Sequence, residues 1–159
     1  MNRRTRAMVA LARRLPHPEP PTERYLARMR WEPAPAVLAR ALIGPVPRGV
    51  RVDNIVVPQP VPLRARTYRP AGASRPLPMV VNFHGGGFVI GNLASTDWLC
   101  GQVAARAEAL VVSVSYRLAP EHPAPGPYED ALAATAWLVD HAGDWGGDPG
   151  NVTVMGASA

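Results

Sequence analysis

The chain has 159 residues, 47% hydrophobic and 18% charged, a composition that excludes an intrinsically disordered protein and favours one globular core. All 17 basic residues are arginine, and the formal charge of +5 is concentrated near the N-terminus. The single cysteine, Cys100, excludes an internal disulfide, and no apolar run reaches the ~18 residues of a membrane span. We therefore expect a cytoplasmic protein without a membrane span.

Residues 1–49 differ in composition from the rest and are rich in Arg, Pro and Ala. Apolar residues recur there at helical spacing, and several prolines interrupt the pattern, which predicts two or three short helices. The apolar positions are Met8, Leu11, Leu15, Leu26, Met29, Val37, Leu38, Leu42 and Ile43. Eight arginines fall within residues 1–30 and could bind nucleic acid or an anionic membrane. A solvated helix face accounts for them more simply, so we expect no nucleic-acid partner.

From residue 50 the apolar pattern changes to that of strands. "VRVDNIVVP" and "LRARTYRP" predict an antiparallel pair, with arginines facing solvent in the second strand. "LPMVVNF", "ALVVSVSY" and "VTVMGAS" predict three buried strands. Between them, a helix over 96–109, capped by Ser95 or Thr96, and a second helix from Pro127 to near Gly143 are expected. The second helix has its apolar stripe at Tyr128, Leu132, Ala136 and Val139. The strand–helix–strand order predicts right-handed crossovers and parallel strands.

The stretch "HGGG", residues 84–87, directly follows the first buried strand. Consecutive glycines let backbone N–H groups point into a cavity, where they can bind a phosphate or an oxyanion. The spacing of these glycines matches neither the dinucleotide fingerprint nor the phosphate loop, which requires a lysine that this chain lacks. An oxyanion-binding loop is therefore the favoured interpretation, with a tight turn as the alternative.

The third buried strand ends in "GAS", with Ser158 between two alanines. Small residues beside a serine at a strand end are typical of the sharp turn that presents a nucleophile, although small residues often end strands for other reasons. A third motif, "YRLAPEHPAP", lies between these two segments, and the chain has His122 and His141 as further candidates for a catalytic base. Both histidines precede the serine, so we expect them to be surface residues.

Together, "FHGGGFVIG", "YRLAPEHPAP" and "GAS" resemble the bacterial esterases related to hormone-sensitive lipase, within the α/β-hydrolase fold. The resemblance covers about residues 50–159. It implies a mostly parallel sheet with flanking helices, with residues 1–49 as an N-terminal helical cap and residues 50–159 as the N-terminal half of the catalytic domain. It also implies hydrolysis of a small-molecule carboxylic ester without a cofactor or metal, and a homo-oligomer is possible.

The resemblance also implies roles for individual residues. Ser158 is the expected nucleophile, and the N–H groups of Gly86, Gly87 and Ala159 are the expected oxyanion hole. His84 and Gly85 are expected to position the loop. Arg117 and Glu121 are expected to form an ion pair behind the site.

The triad acid and base follow the nucleophile in this fold, and the chain has neither after Ser158. We therefore expect a chain that is truncated after the nucleophile strand and inactive by itself. A non-catalytic protein that binds a small ligand on the same fold is the alternative.

Overall fold

The computed structural model of the protein describes residues 22–30, 44–74 and 76–158. Within them, helix α1 (Glu23–Arg30) precedes the sheet and buries Leu26, as its apolar spacing predicts. The helices predicted around residues 8–15 and 37–43, and Ala159, lie outside the described residues.

The described strands form one mixed, five-stranded sheet in the order β1-β2-β4-β3-β5. Their bounds are Val50–Val57 for β1, Leu63–Pro70 for β2, Leu77–Phe83 for β3, Leu110–Val114 for β4 and Gly147–Gly156 for β5. The pairings β1–β2 and β2–β4 are antiparallel, whereas β3–β4 and β3–β5 are parallel. The predicted antiparallel pair and the predicted parallel strands are both confirmed.

Two helices connect the parallel strands and cover opposite faces of the sheet. Helix α2 (Asp97–Ala107) joins β3 to β4, and helix α3 (Gly126–Asp140) joins β4 to β5. Cys100 and Ala104 of α2 form a small buried cluster with Tyr68 and Val111 of the sheet. The larger cluster contains the other faces of β2, β3 and β4 together with Ala134 and Leu138 of α3. The core therefore lies on both sides of β3 and β4, as expected for strands buried on two faces.

The predicted apolar stripe of α3 is wrong. Tyr128 and Leu132 are 67% and 60% exposed, and the helix instead buries Pro127, Asp130, Ala134 and Leu138. A carboxylate occupies the inward face, because Asp130 is paired with an arginine of the loop before the helix. That ion pair fixes the rotation of α3, and the apolar periodicity of the sequence does not reveal it.

Two smaller predictions are corrected by the structure. Thr96 precedes α2 without a side-chain capping bond, and the preceding turn is capped by Asn92, whose Oδ1 accepts from Ser95 N at 3.0 Å. Strand β5 is not buried along its length, since Val154 is 57% exposed. Among the described strands, β5 lies at the sheet edge and pairs only with β3.

Candidate active site

The three parallel strands end at the same level of the sheet. Phe83 of β3 lies opposite Val114 of β4 and Gly156 of β5. The segments that follow therefore meet at one edge, and they are the three segments that carry the sequence motifs. The carboxyl ends of parallel strands are the usual place for a site in an open α/β sheet.

Ser158 lies two residues beyond β5 in a left-handed backbone conformation, with φ of 55°. This region is uncommon for a residue other than glycine, and strain of this kind is concentrated at functional sites. Ser158 is also exposed. The chain thus turns sharply at the strand end and leaves the serine exposed, and this turn is called the elbow below.

The glycine loop after β3 lies directly against this turn. A Cβ built on Gly85 would come within 2.0 Å of the carbonyl oxygen of Ala157, so only glycine fits there. Gly86 and Gly87 have φ values of 134° and 58°. Their N–H groups both donate to the carbonyl oxygen of Ser158, with N···O distances of 3.4 and 3.5 Å. The loop therefore directs two amides towards one oxygen at the elbow.

His84 and Tyr116 hold the start of this loop. Both side chains are buried, and their rings stack with centroids 4.5 Å apart and an interplanar angle of 18°. The Tyr116 hydroxyl donates to the carbonyl oxygen of His84 at 2.6 Å, and burial raises the pKa of Tyr116. His84 Nδ1 lies 3.1 Å from the carbonyl oxygen of Gly85. Tyr116, to which the sequence analysis gave no role, thus ties the loop after β4 to the loop after β3.

The expected ion pair between Arg117 and Glu121 is wrong. Arg117 pairs instead with Asp130, whose carboxylate is fully buried and accepts from both the guanidinium and the backbone N–H of Arg117. The closest of these contacts joins Arg117 Nη2 and Asp130 Oδ1 at 2.6 Å. The hydrogen bonds to Asp130 raise the pKa of Arg117 further. This pair anchors the "YRLAPEHPAP" loop to α3, beneath the candidate site.

Glu121 pairs with Arg30, the last residue of α1, at 2.8 Å. The same guanidinium donates from Nε to the carbonyl oxygen of Val89 at 2.8 Å and from Nη2 to that of Ala119. The hydrogen bond from Arg30 lowers the pKa of Glu121. One arginine therefore joins the N-terminal helix to the glycine loop and to the proline-rich loop, and no local sequence signal identifies it.

The remaining candidates are His122, His141 and Cys100. His122 is exposed, whereas His141 is half-buried and stacks on Trp137 with ring centroids 4.2 Å apart. Cys100 is buried, and desolvation raises its pKa to about 11. Within the described ranges, no histidine hydrogen-bonds the Ser158 hydroxyl. No group of three or more potential metal ligands occurs in that part of the chain.

An apolar cavity of about 200 Å³ lies beside the elbow. Its walls come from the ends of β3 and β5, from the glycine loop and from the first turns of α3. The lining residues include Phe83, Phe88, Tyr116, Tyr128 and Val154. A hydrocarbon group of a few carbons could be accommodated there, next to the serine.

Comparison with known families decides the classification. A family described as having the alpha/beta hydrolase fold matches residues 80–159, slightly more than half of the chain. The chain belongs to this α/β-hydrolase family. This match and the esterase relatives described next together confirm the resemblance to bacterial esterases related to hormone-sensitive lipase. Within the described residues of this α/β hydrolase, no helix is long and apolar enough to cross a membrane.

Named relatives of this α/β hydrolase are esterases. It is 46% identical over 118 residues to esterase LipI of Mycobacterium tuberculosis, a match that covers 72% of this chain and 37% of LipI. It is 46% identical over 112 residues to the carboxylic ester hydrolase LipN of the same organism, covering 69% of this chain and 30% of LipN. A solved structure, the hyperthermophilic esterase from Pyrobaculum calidifontis, superposes with a TM-score of 0.73 at 40% identity, over 84% of this chain and 44% of that protein. The chain thus spans less than half the length of these relatives.

Proposed function

We propose that the protein contributes the nucleophile and the oxyanion hole of a serine carboxylesterase. Ser158 is the nucleophile, and the N–H groups of Gly86, Gly87 and Ala159 bind the oxyanion. The observation that carries this proposal is the contact between the glycine loop and the elbow, where the two loop amides already donate to one oxygen. The esterase names of the relatives support the same reaction class.

In the proposed reaction, the Ser158 hydroxyl oxygen attacks the ester carbonyl carbon while a base takes its proton. The negative charge that develops on the carbonyl oxygen is stabilised by the backbone N–H groups. Collapse of the tetrahedral intermediate breaks the ester C–O bond, releases the alcohol and leaves an acyl-serine, which water then hydrolyses to the acid. In the structure, the Gly86 and Gly87 amides donate instead to the carbonyl oxygen of Ser158. Substrate therefore has to displace the Ser158 carbonyl oxygen from these amides.

The supporting residues act by position rather than by contact with the ester. His84 and Gly85 hold the loop against the elbow, the first through its stacking on Tyr116 and the second by having no side chain. Mispositioning of catalytic groups by about 1 Å can cost ~100-fold in rate. This supports the role of both as positioning residues.

The chain alone is expected to be inactive. A serine hydroxyl is a weak nucleophile without a base, and among the described residues none donates to or accepts from the Ser158 hydroxyl. We propose that the triad acid and base come from outside these 159 residues, from a region that the longer relatives possess. A small-ligand binder on the same fold is the alternative that the apolar cavity beside the elbow also supports.

We further propose that residues 1–49 form a cap and residues 50–159 belong to the catalytic domain. The start of β1 at Val50 and the contacts of Arg30 with the loops around the elbow support this division. The substrate is a small-molecule ester whose apolar portion fits the cavity of about 200 Å³. A cytoplasmic location stays a prediction.

The proposal is tested with two proteins. The first is the chain itself, and the second is a hybrid in which residues 1–159 are followed by the part of LipI that lies beyond the matched region. With p-nitrophenyl butyrate, we expect no turnover by the chain and turnover by the hybrid that is lost in Ser158→Ala. A folded hybrid that binds the ester without hydrolysing it would favour the ligand-binding alternative. Hydrolysis by the hybrid that survives Ser158→Ala would exclude Ser158 as the nucleophile.

A further inference from the structure

A second cavity, of about 510 Å³, opens at the other end of the sheet. It lies where β3 begins, because Leu77 N donates to the carbonyl oxygen of Gly146 at 2.9 Å there. The walls include Asp53, Arg69, Leu110, Asp144, Trp145 and Gly146. Since β3 runs for seven residues from this end to the glycine loop, the cavity is about 20 Å from the elbow. It is therefore separate from the candidate active site.

Arg69 contributes to this cavity a buried hydrogen-bond donor that has no partner. Its Nε atom is buried and has no hydrogen-bond acceptor. No ion pair of Arg69 occurs among residues 22–30, 44–74 and 76–158. A buried charged donor without an acceptor is costly, and native proteins rarely retain one without a reason. A bound anion would supply the missing acceptor.

The backbone around the cavity is shaped to hold this guanidinium. Gly146 has φ of 74°, and a Cβ there would lie 2.8 Å from Arg69 Nη2 and 3.3 Å from Nε. The guanidinium therefore lies against the turn between the end of the α3 region and β5, where the left-handed backbone favours glycine.

The charges around the cavity restrict the class of anion. Arg51 is occupied by Asp53 at 2.7 Å, which leaves Arg69 as the available cation, and Asp144 contributes a negative charge. Asp144 repels a dianion such as phosphate more strongly than a monoanion, whereas a monocarboxylate needs only one guanidinium and matches it with two parallel hydrogen bonds. Leu110 and Trp145 add apolar wall.

We propose that this cavity binds a small monocarboxylate with an apolar body, whose carboxylate is held by Arg69. The binding does not depend on ester hydrolysis, so it is measured on the chain as it is. Benzoate is the probe, with benzamide as its neutral counterpart and inorganic phosphate as the dianion. The readout is the NMR signal of the Trp145 indole N–H, assigned with Trp145→Phe.

We expect benzoate to shift this signal saturably, benzamide to leave it unchanged, and phosphate to bind at least several-fold more weakly. Arg69→Gln should weaken benzoate binding about tenfold or more, because hydrogen bonds to charged groups are among the strongest. The matched control is Arg106→Gln, an exposed arginine on α2 at the opposite face of the sheet. Asp144→Asn should tighten benzoate binding, since it removes a nearby negative charge.

Absence of a saturable shift in the unmodified chain overturns the proposal, and so does full binding by a folded Arg69→Gln variant. Phosphate binding as tight as that of benzoate overturns the carboxylate assignment. Should Arg69→Gln fail to fold, Asp144→Asn decides the outcome. Tighter benzoate binding by Asp144→Asn supports the proposal, and unchanged benzoate binding contradicts it.

Discussion

Gly85 packs so closely against the carbonyl group of Ala157 that Gly85→Ala gives the most direct mutational prediction. The added Cβ would lie 2.0 Å from the carbonyl oxygen of Ala157, about 1 Å short of the 3.0 Å that real Cβ atoms respect. Both atoms that conflict belong to backbone or lie directly on it, so a rotamer change cannot relieve the overlap. The glycine loop must therefore move away from the elbow by about 1 Å. Overpacking of this kind costs ~1–3 kcal/mol of stability.

Two assays separate the consequences of this shift. Urea denaturation of the chain should show the lower free energy of unfolding. The LipI hybrid should lose about 100-fold in kcat, because the proposed oxyanion donors, the amides of Gly86 and Gly87, would be displaced. The matched control is Gly143→Ala, where a Cβ meets nothing within 4 Å and the backbone is not left-handed. If Gly85→Ala behaves like Gly143→Ala in both assays, the loop is not packed against the elbow as described.

Three further predictions concern the contacts around the site. Glu121→Gln should lower the melting temperature above pH 4.5, and the difference should fade as the pH falls below that, because Arg30 holds the pKa of Glu121 below its ordinary value of 4.5. Asp130→Asn should lower the free energy of unfolding in urea by about 1.5–3 kcal/mol, because it weakens the charge-assisted hydrogen bonds to Asp130 and leaves the Arg117 guanidinium without its carboxylate. Val154→Lys should raise the monomer fraction in light scattering, because a charge guards an exposed strand edge against pairing between molecules.

The first of these three predictions is checked at low pH, and each of the other two has a control variant. A Glu121→Gln effect that persists undiminished at pH 3 would show that the ion pair is not its source. Glu129→Gln, beside Asp130 but exposed, should leave the unfolding free energy unchanged, and an equal loss in both variants would contradict a special role for the buried carboxylate. Leu132→Lys removes an equally exposed apolar side chain from α3. If it raises the monomer fraction as much as Val154→Lys does, edge pairing is not the cause of association.

The strands and their pairing could be predicted because their signals are local. "LPMVVNF" and "ALVVSVSY" are uninterrupted apolar runs, and such runs form strands buried on two faces, as β3 and β4 are. The glycines of residues 84–87 and the small residues around Ser158 could be identified for the same reason. Each follows a strand directly, and in a parallel sheet the strand ends meet.

The contacts that join distant segments could not be predicted. Arg30 and Glu121 lie 91 residues apart, and no periodicity links them. Asp130 faces the core although it is charged, so a pattern of apolar residues places the wrong face of α3 inward. The ion pair of Asp130 with Arg117, rather than hydrophobicity, sets which face of α3 is exposed. That exposed face includes Tyr128, which lines the cavity beside the elbow.

The central claim, that Ser158 is a nucleophile presented to the oxyanion loop, is tested most directly by covalent labelling of the LipI hybrid with a fluorophosphonate. Mass spectrometry of the intact protein and of its peptides locates the adduct. The account predicts a single adduct on Ser158, absent from Ser158→Ala and formed much more slowly in Gly85→Ala. A hybrid that hydrolyses p-nitrophenyl butyrate while Ser158 stays unlabelled, or that carries the adduct on another residue, would contradict it.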